Sequence, residues 1–469
     1  MRADGIITSI TSSIAQVTFT LPAPAIHDVL VHFNHPDIKL EVVAFESDCV
    51  CLCYILNNSS TLQLGDQVVN THEQLMIPVG RSVLGRAFNV FGEPQDNKPL
   101  HPRKLRSIHE STAPDTAHTI ITHQTLHTGI KAVDFFAPIL EGGKMGLIGG
   151  AGLGKTMLLT ELIHNVVMNK KKRHEDTDET KVADKETREV VSVFGAVGER
   201  SREAQELLEN VTEAGVIDTT VAIIGQMGEN PSIRFRTASA AATVAEEFRD
   251  QGTDVLFFID NMYRFSQAGY ELATLTKAIP SEDGYQPTIP SEIGVLHERL
   301  RSSSKASITT IEAVYLPSDD LADYSVRTVM SYLDSYIVLS RDVYQSGRLP
   351  AIDLLRSQSS AISVEVIGKT HYHLHKRAVQ LLEEANKLER IVSLVGEAEL
   401  SKESQILYRR AQLLKNYMTQ NFTVAESQSG HKGAQIPLGR VLREVAAILD
   451  GQADGLKPEE LLNVEKLPI

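Results

Sequence analysis

One octapeptide constrains this chain more than any other feature. Gly149-Gly150-Ala151-Gly152-Leu153-Gly154-Lys155-Thr156 follows a short apolar run, Lys144-Met145-Gly146-Leu147-Ile148. It precedes Leu158, Leu159, Leu162, Ile163, Val166 and Val167 at helical spacing. Strand, glycine loop and helix in that order predict an α/β layer whose loop holds phosphate. The spacing satisfies G-x-x-x-x-G-K-[ST] in full. Glycines let backbone N–H groups approach the phosphates, and the following helix turns its positive N-terminus toward them. Lys155 is expected to neutralise the β and γ phosphates, and the Thr156 hydroxyl to ligate magnesium.

Two other segments fit the same chemistry. Val255-Leu256-Phe257-Phe258-Ile259-Asp260 reads as a buried strand ending in a carboxylate. Alone, such an Asp is ordinarily a turn residue. Downstream of a phosphate loop, it is expected to reach the magnesium. Gly198-Glu199-Arg200-Ser201-Arg202-Glu203 follows another buried strand, Val190 to Phe194. In isolation it would be a surface charge cluster. Beside a phosphate site, Glu199 can hold an attacking water in line, and phosphoryl transfer depends on that positioning.

The rest of the chain divides into three. Residues 1–78 contain short branched runs, among them Gly5 to Ile10, Ile14 to Phe19 and Val42 to Phe45, and predict a small β-barrel. Residues 79–354 alternate strands and helices. Residues 355–469 are mainly helical, with Leu374, Ala378, Leu381, Leu382, Ala385, Leu388, Val392 and Val395 forming an amphipathic stripe. Cys49, Cys51 and Cys53 alternate and so share one strand face, a pattern open to a soft-metal site but, with no His or fourth Cys at zinc-finger spacing, expected to be small apolar residues of a half-buried strand. His371, His373 and His375 diverge at helical spacing and are expected to be solvated or capping. The run of mixed charge from about 169 to 189 has no apolar face and predicts a solvated excursion.

With 469 residues, two or three domains are expected. A net charge of −14 argues against nucleic acid as the main partner. No apolar run approaches the roughly 20 residues of a membrane span, and the N-terminus lacks a signal-peptide pattern. An intracellular protein is expected, its membrane attachment made through partners.

Read together, the motifs resemble the catalytic β subunit of F-type ATP synthases, of which this chain looks like a divergent member. The resemblance rests on Gly149 to Thr156, Gly198 to Glu203, Ile259-Asp260-Asn261-Met262-Tyr263-Arg264-Phe265, Gly284-Tyr285-Gln286-Pro287-Thr288 and Val314-Tyr315-Leu316-Pro317-Ser318-Asp319-Asp320-Leu321. It implies a β-barrel crown, a RecA-like P-loop domain and a C-terminal helical bundle. By the same resemblance, Glu199 is the general base or water-orienting carboxylate, and Lys155 and Arg200 stabilise γ-phosphate charge. Thr156 binds Mg2+ directly, Glu203 and Asp260 act through its waters, and Arg264 belongs to their network. The implied cofactor is Mg2+ with ATP or ADP. The implied partners are α-type subunits in a hetero-hexameric ring, which supply an arginine finger, a γ-type shaft and, indirectly, a membrane sector. That places the chain at the cytoplasmic face of a bacterial inner membrane.

Departures from the family pattern gather at the adenine end. Leu349 stands where the family usually has Tyr before Pro350. Phe422 keeps one pocket aromatic, but Gln428 replaces a second. The loop that meets the shaft, Ala398-Glu399-Leu400-Ser401-Lys402-Glu403-Ser404, has fewer acids than is usual. Competing readings are a type III or flagellar export ATPase, which shares the phosphate loop, and a non-catalytic ring subunit. The second is opposed by Glu199, where the family's α subunit carries Gln.

Overall fold

The computed structural model describes residues 4–20, 23–57, 59–96, 98–100, 102–112, 114, 124–175, 189–281 and 283–468. Its N-terminal part is a closed six-stranded barrel. Around it run Gly5–Thr11, Ile14–Phe19, Val50–Ile55, Lys39–Ser47, Val29–His32 and Gln67–Asn70, each antiparallel to its neighbours. Alternate residues point inward, so Ile7, Val17, Phe19, Leu30, Leu40, Val42 and Val68 fill the interior. Cys51 and Cys53 join that core, their sulfurs 3.6 Å apart. Cys49 lies just before the strand and is only partly covered.

The barrel docks on the central layer through Asn230 and Ser232, which donate to the Ile55 carbonyl, and through one buried carboxylate. Glu41 is fully buried, and its Oε1 and Oε2 accept from Arg236 Nη2 and Nε at 2.8 and 3.0 Å. The rings of His27 and His109 stack 3.8 Å apart against the same carboxylate. Burial opposes ionisation of Glu41. Arg236 and the two imidazoles outweigh it and hold the group well below the usual carboxylate range. Among the described residues, His27, Glu41 and His109 form the one trio of metal-ligand types whose ligand atoms all lie within 4.8 Å of one another. With Arg236 on both oxygens, this trio is a charge-paired joint between layers.

The central layer is an eight-stranded sheet. Its order is Gln358–Ser359, Ser335–Val338, Lys144–Gly149, Ile308–Tyr315, Asp254–Asp260, Val190–Glu199, Thr220–Gln226 and Arg86–Phe88. All pairings are parallel except the outermost, Ser335–Val338 with Gln358–Ser359. Strands covered on both faces read as continuous apolar runs, as Val190 to Phe194 and Val255 to Ile259 do. Their residues alternate between two cores. Phe194, Leu256 and Phe258 pack with the helices Lys155–Glu175 and Ser201–Glu213, while Val193, Phe257 and Ile259 pack with Pro231–Asp250, Met262–Leu275 and Ile289–Arg299. Burial of each such side chain stabilises by about 1.5–3 kcal/mol, so both helical layers are held tightly to the strands that carry the site.

The C-terminal part consists chiefly of helices Val364–Val395, Lys402–Tyr417 and Leu438–Leu449. Leu374, Ala378, Leu382 and Ala385 are buried against Ala411, Leu414, Val441 and Val445, as the stripe predicts. Beyond Ala385 the stripe leaves the core: Leu388 and Val392 are only half-buried, and Leu394 is exposed. The histidines need a correction. His373 is exposed, but His371 is buried, its Nε2 2.9 Å from the Phe135 carbonyl. His375 lies against Phe135 and Phe136, and burial pushes its pKa down to about 4. Packing onto two phenylalanines, invisible to helical spacing, decides this. The charged run needs another: helix Lys155–Glu175 extends into it, and residues 176–188 lie outside the described residues.

Candidate active site

Parallel strands deliver their C-terminal ends to one edge of the sheet, where ligands of such folds bind. Four adjacent strands end there in sequence: Gly149, Tyr315, Asp260 and Glu199. Register fixes their heights, with Gly149 opposite Tyr315, Asp260 opposite Ala313 and Ala196 opposite Asp260. At about 4.8 Å per strand the row spans about 14 Å. The sequence-predicted carboxylates therefore share one rim with the phosphate loop.

The loop occupies the turn from Gly149 into the helix that begins at Lys155. Leu153 is buried and anchors it, whereas Ala151, Gly152, Gly154 and Thr156 are exposed. Lys155 Nζ donates to the carbonyls of Gly149 and Gly150 at 2.6 and 2.7 Å. Tyr315 lies beneath it, with Nζ 5.5 Å from the ring centroid. Burial lowers the Lys155 pKa, while Asp260, Glu199 and Asp319 pull it back up. Gly150 answers to a close approach: a Cβ there would lie 2.0 Å from Asp319 Oδ1.

Glu199 closes its strand half-buried, and its backbone carbonyl accepts from Met227 N at 2.9 Å. Burial, a hydrogen bond with Glu203 and the charge of Asp260 push its pKa up to about 9. Glu203 shifts the opposite way, chiefly through that same hydrogen bond, so the pair shares a proton that sits on Glu199. Asp260 is raised to about 6 by burial and by Glu203, against the pull of Lys155 and Arg264. Arg264, in helix Met262–Leu275, is the cation that lowers all three. Its side chain passes so close to Gly198 (φ 67°) that a Cβ there would lie 3.3 Å from Arg264 Cβ. Asn261 ties two strand ends together, accepting from Tyr263 N at 3.0 Å and Tyr315 N at 3.3 Å.

The hydroxyl of Thr156 and the three carboxylates are hard oxygen donors, the set magnesium takes. Thr156, Glu203 and Asp260 all offer such donors, so their chemistry fits the ion.

Arg200 stands at the outer side of this group. It precedes helix Ser201–Glu213 with its side chain 69% exposed, 3.8 Å from Glu203. At the other end, Gln420 N donates to the Leu349 carbonyl at 2.9 Å, which brings the Phe422 segment beside Leu349. Val424 N donates to Glu161 Oε2 at 3.0 Å and fastens that segment to the helix after the phosphate loop. Leu349 is 47% exposed and Phe422 half-buried. Gln428 lies on the short helix Glu426–Ser429, and its side chain falls outside the described residues.

Two site residues had no role from sequence. Asp319 and Arg341 form an ion pair, Nε to Oδ2 at 2.8 Å, over the start of the phosphate loop. Asp319 belongs to a motif carrying the family resemblance. Arg341 has no local signal, because only the pairing of Ser335–Val338 with Lys144–Gly149 brings it here.

A phosphate loop at the switch from strand to helix, with acids on the neighbouring strand ends, defines a P-loop nucleotide-binding domain. Residues 129–359 match the ATP synthase alpha/beta family, nucleotide-binding domain. Residues 360–447 match the C-terminal domain of V and A type ATP synthase. The two matches together support the rotary ATPase alpha/beta family, and the barrel, α/β domain and helices stand in the order of that architecture. The F-type resemblance meets a V and A type match in its helical third.

Proposed function

We propose that this chain is the catalytic subunit of a rotary ATP synthase or ATPase, interconverting ATP with ADP and phosphate in a ring of α- and β-type subunits. The observation that carries the reading is Glu199, a proton-holding carboxylate on the rim shared with Lys155 and Asp260. A non-catalytic subunit needs no such group there.

Thr156, Glu203 and Asp260 would hold Mg2+, which when bound supplies positive charge to the transferring phosphoryl group. Lys155 leaves the carbonyls of Gly149 and Gly150 for the phosphates. Glu199, relieved of its proton by positive charge brought into the site, orients the water and accepts its proton. Arg264 keeps the acids together. Arg200, at the mouth, is free to turn from Glu203 to phosphate, since exposed pairs of this kind contribute about 0–1 kcal/mol. An isolated chain is expected to turn over slowly and to depend on a neighbouring subunit's arginine finger, worth roughly 10³–10⁵ in rate.

The F-type reading draws on the motifs around Asp260 and Gln286. The helical third favours a V or A type assembly as the second reading. A pull-down of the native assembly by a tag on this chain separates them. Partners of F-type α, γ and ε character support the first reading, and V or A type stator and shaft subunits the second. Export-apparatus partners, or a complex without ATP turnover, would overturn both.

A further inference from the structure

The ion pair over the phosphate loop is not required by the fold. Asp319 and Arg341 are 43% and 46% exposed. Their strongest contacts are with each other, Nε to Oδ2 at 2.8 Å and Nη2 to Oδ1 at 3.4 Å. Yet both press on the loop backbone. Arg341 Nη2 is 3.5 Å from the Ala151 carbonyl, and a Cβ on Gly150 would lie 3.0 Å from Nη2 and 2.0 Å from Asp319 Oδ1.

The backbone holds Asp319 there at some cost. Ser318 and Asp319 both adopt left-handed φ, 55° and 56°, which is uncommon for residues other than glycine and is typical of functional loops. Leu316 N donates to the Gly149 carbonyl at 3.1 Å, so the turn Pro317–Asp319 hangs from the loop it overlies.

We propose that Arg341 is a second cationic phosphate contact of this site and that Asp319 masks it until an anion takes the carboxylate's place. The inference rests on the nucleotide-binding reading above and deepens it. A guanidinium can carry its two-bonded grip from one exposed carboxylate to a phosphate, whose greater negative charge favours the exchange. The pair stands within contact of the Ala151 carbonyl and of Gly150, where an incoming phosphate would meet it. Masking gives the loop a near-neutral resting state and lets phosphate occupancy release the turn Pro317–Asp319.

The test is binding of MgADP and of inorganic phosphate to the full chain by calorimetry, for wild type, Asp319→Asn, Arg341→Ala and the double variant. Asp319→Asn should bind roughly five- to tenfold tighter and Arg341→Ala weaker by a similar factor. In the double variant the gain from Asp319→Asn should vanish, since nothing remains to unmask. A gain that persists without Arg341 would show general repulsion instead and overturn the masking, as would unchanged affinity in either single variant. Both side chains are exposed, so unaltered thermal midpoints will confirm folding. Failure of the wild type to bind either probe would refute the nucleotide-binding reading itself, which keeps the two failures distinct.

Discussion

Replacing Glu199 by Gln should stabilise the nucleotide-free chain, and increasingly so as pH rises. The side chain is held neutral up to about pH 9 by burial and by Glu203 and Asp260, whereas an unfolded glutamate ionises at 4.5. A raised folded pKa means that this group's stabilisation is complete below 4.5 and is lost as pH climbs toward 9. At pH 7 about 2.5 pH units have been traversed, an upper bound of about 3.4 kcal/mol. Glu199 is only half-buried, and the opposite shift of Glu203 returns part of this. Screening and coupling leave an expected gain of about 1 kcal/mol for the glutamine variant. Gln does not titrate, so the two proteins should converge near pH 5 and separate toward pH 8.5. Thermal melts of both full-length chains across that range measure the gap. A gap that stays constant, or widens toward acid, refutes the proposed proton on Glu199.

Three other outcomes are expected. Binding of Mg-nucleotide near pH 7.5 should release protons, because positive charge brought into the site lowers the pKa of Glu199; calorimetry in buffers of different ionisation enthalpy counts them, and no release contradicts the shared-proton pair. Leu349→Tyr should lower the Kd for adenine nucleotides about 2- to 12-fold, the worth of an aromatic contact of about 0.5–1.5 kcal/mol, with a smaller change for bare phosphate. Gly198→Ala should destabilise by about 1–3 kcal/mol, since it places a Cβ at φ 67° against Arg264, and should slow turnover by displacing Glu199.

The phosphate site was legible because its parts are local in sequence. Gly149 to Thr156 contains its own strand-to-helix turn, and Asp260 and Glu199 each end an apolar strand. Sheet order, which sets them side by side, follows from parallel topology rather than from any one segment. Arg341 was invisible for that reason: the strand just before it, Ser335–Val338, neighbours Lys144–Gly149 in space but lies nearly 200 residues on in the chain. The barrel was legible from alternation, and so was the burial of Cys51 and Cys53. His371 and His375 were misread because their surroundings, Phe135 and Phe136, come from a distant helix. Arg200 was assigned by motif alone, and the structure leaves it at the mouth of the site with Glu203.

The most direct measurement is ATP turnover by the purified native assembly carrying Glu199→Gln, with bound nucleotide quantified in the same sample. Nucleotide should be retained at wild-type occupancy and turnover reduced by about 10²–10⁴, the range for loss of a general base. Undiminished turnover with Gln at position 199 would contradict that role.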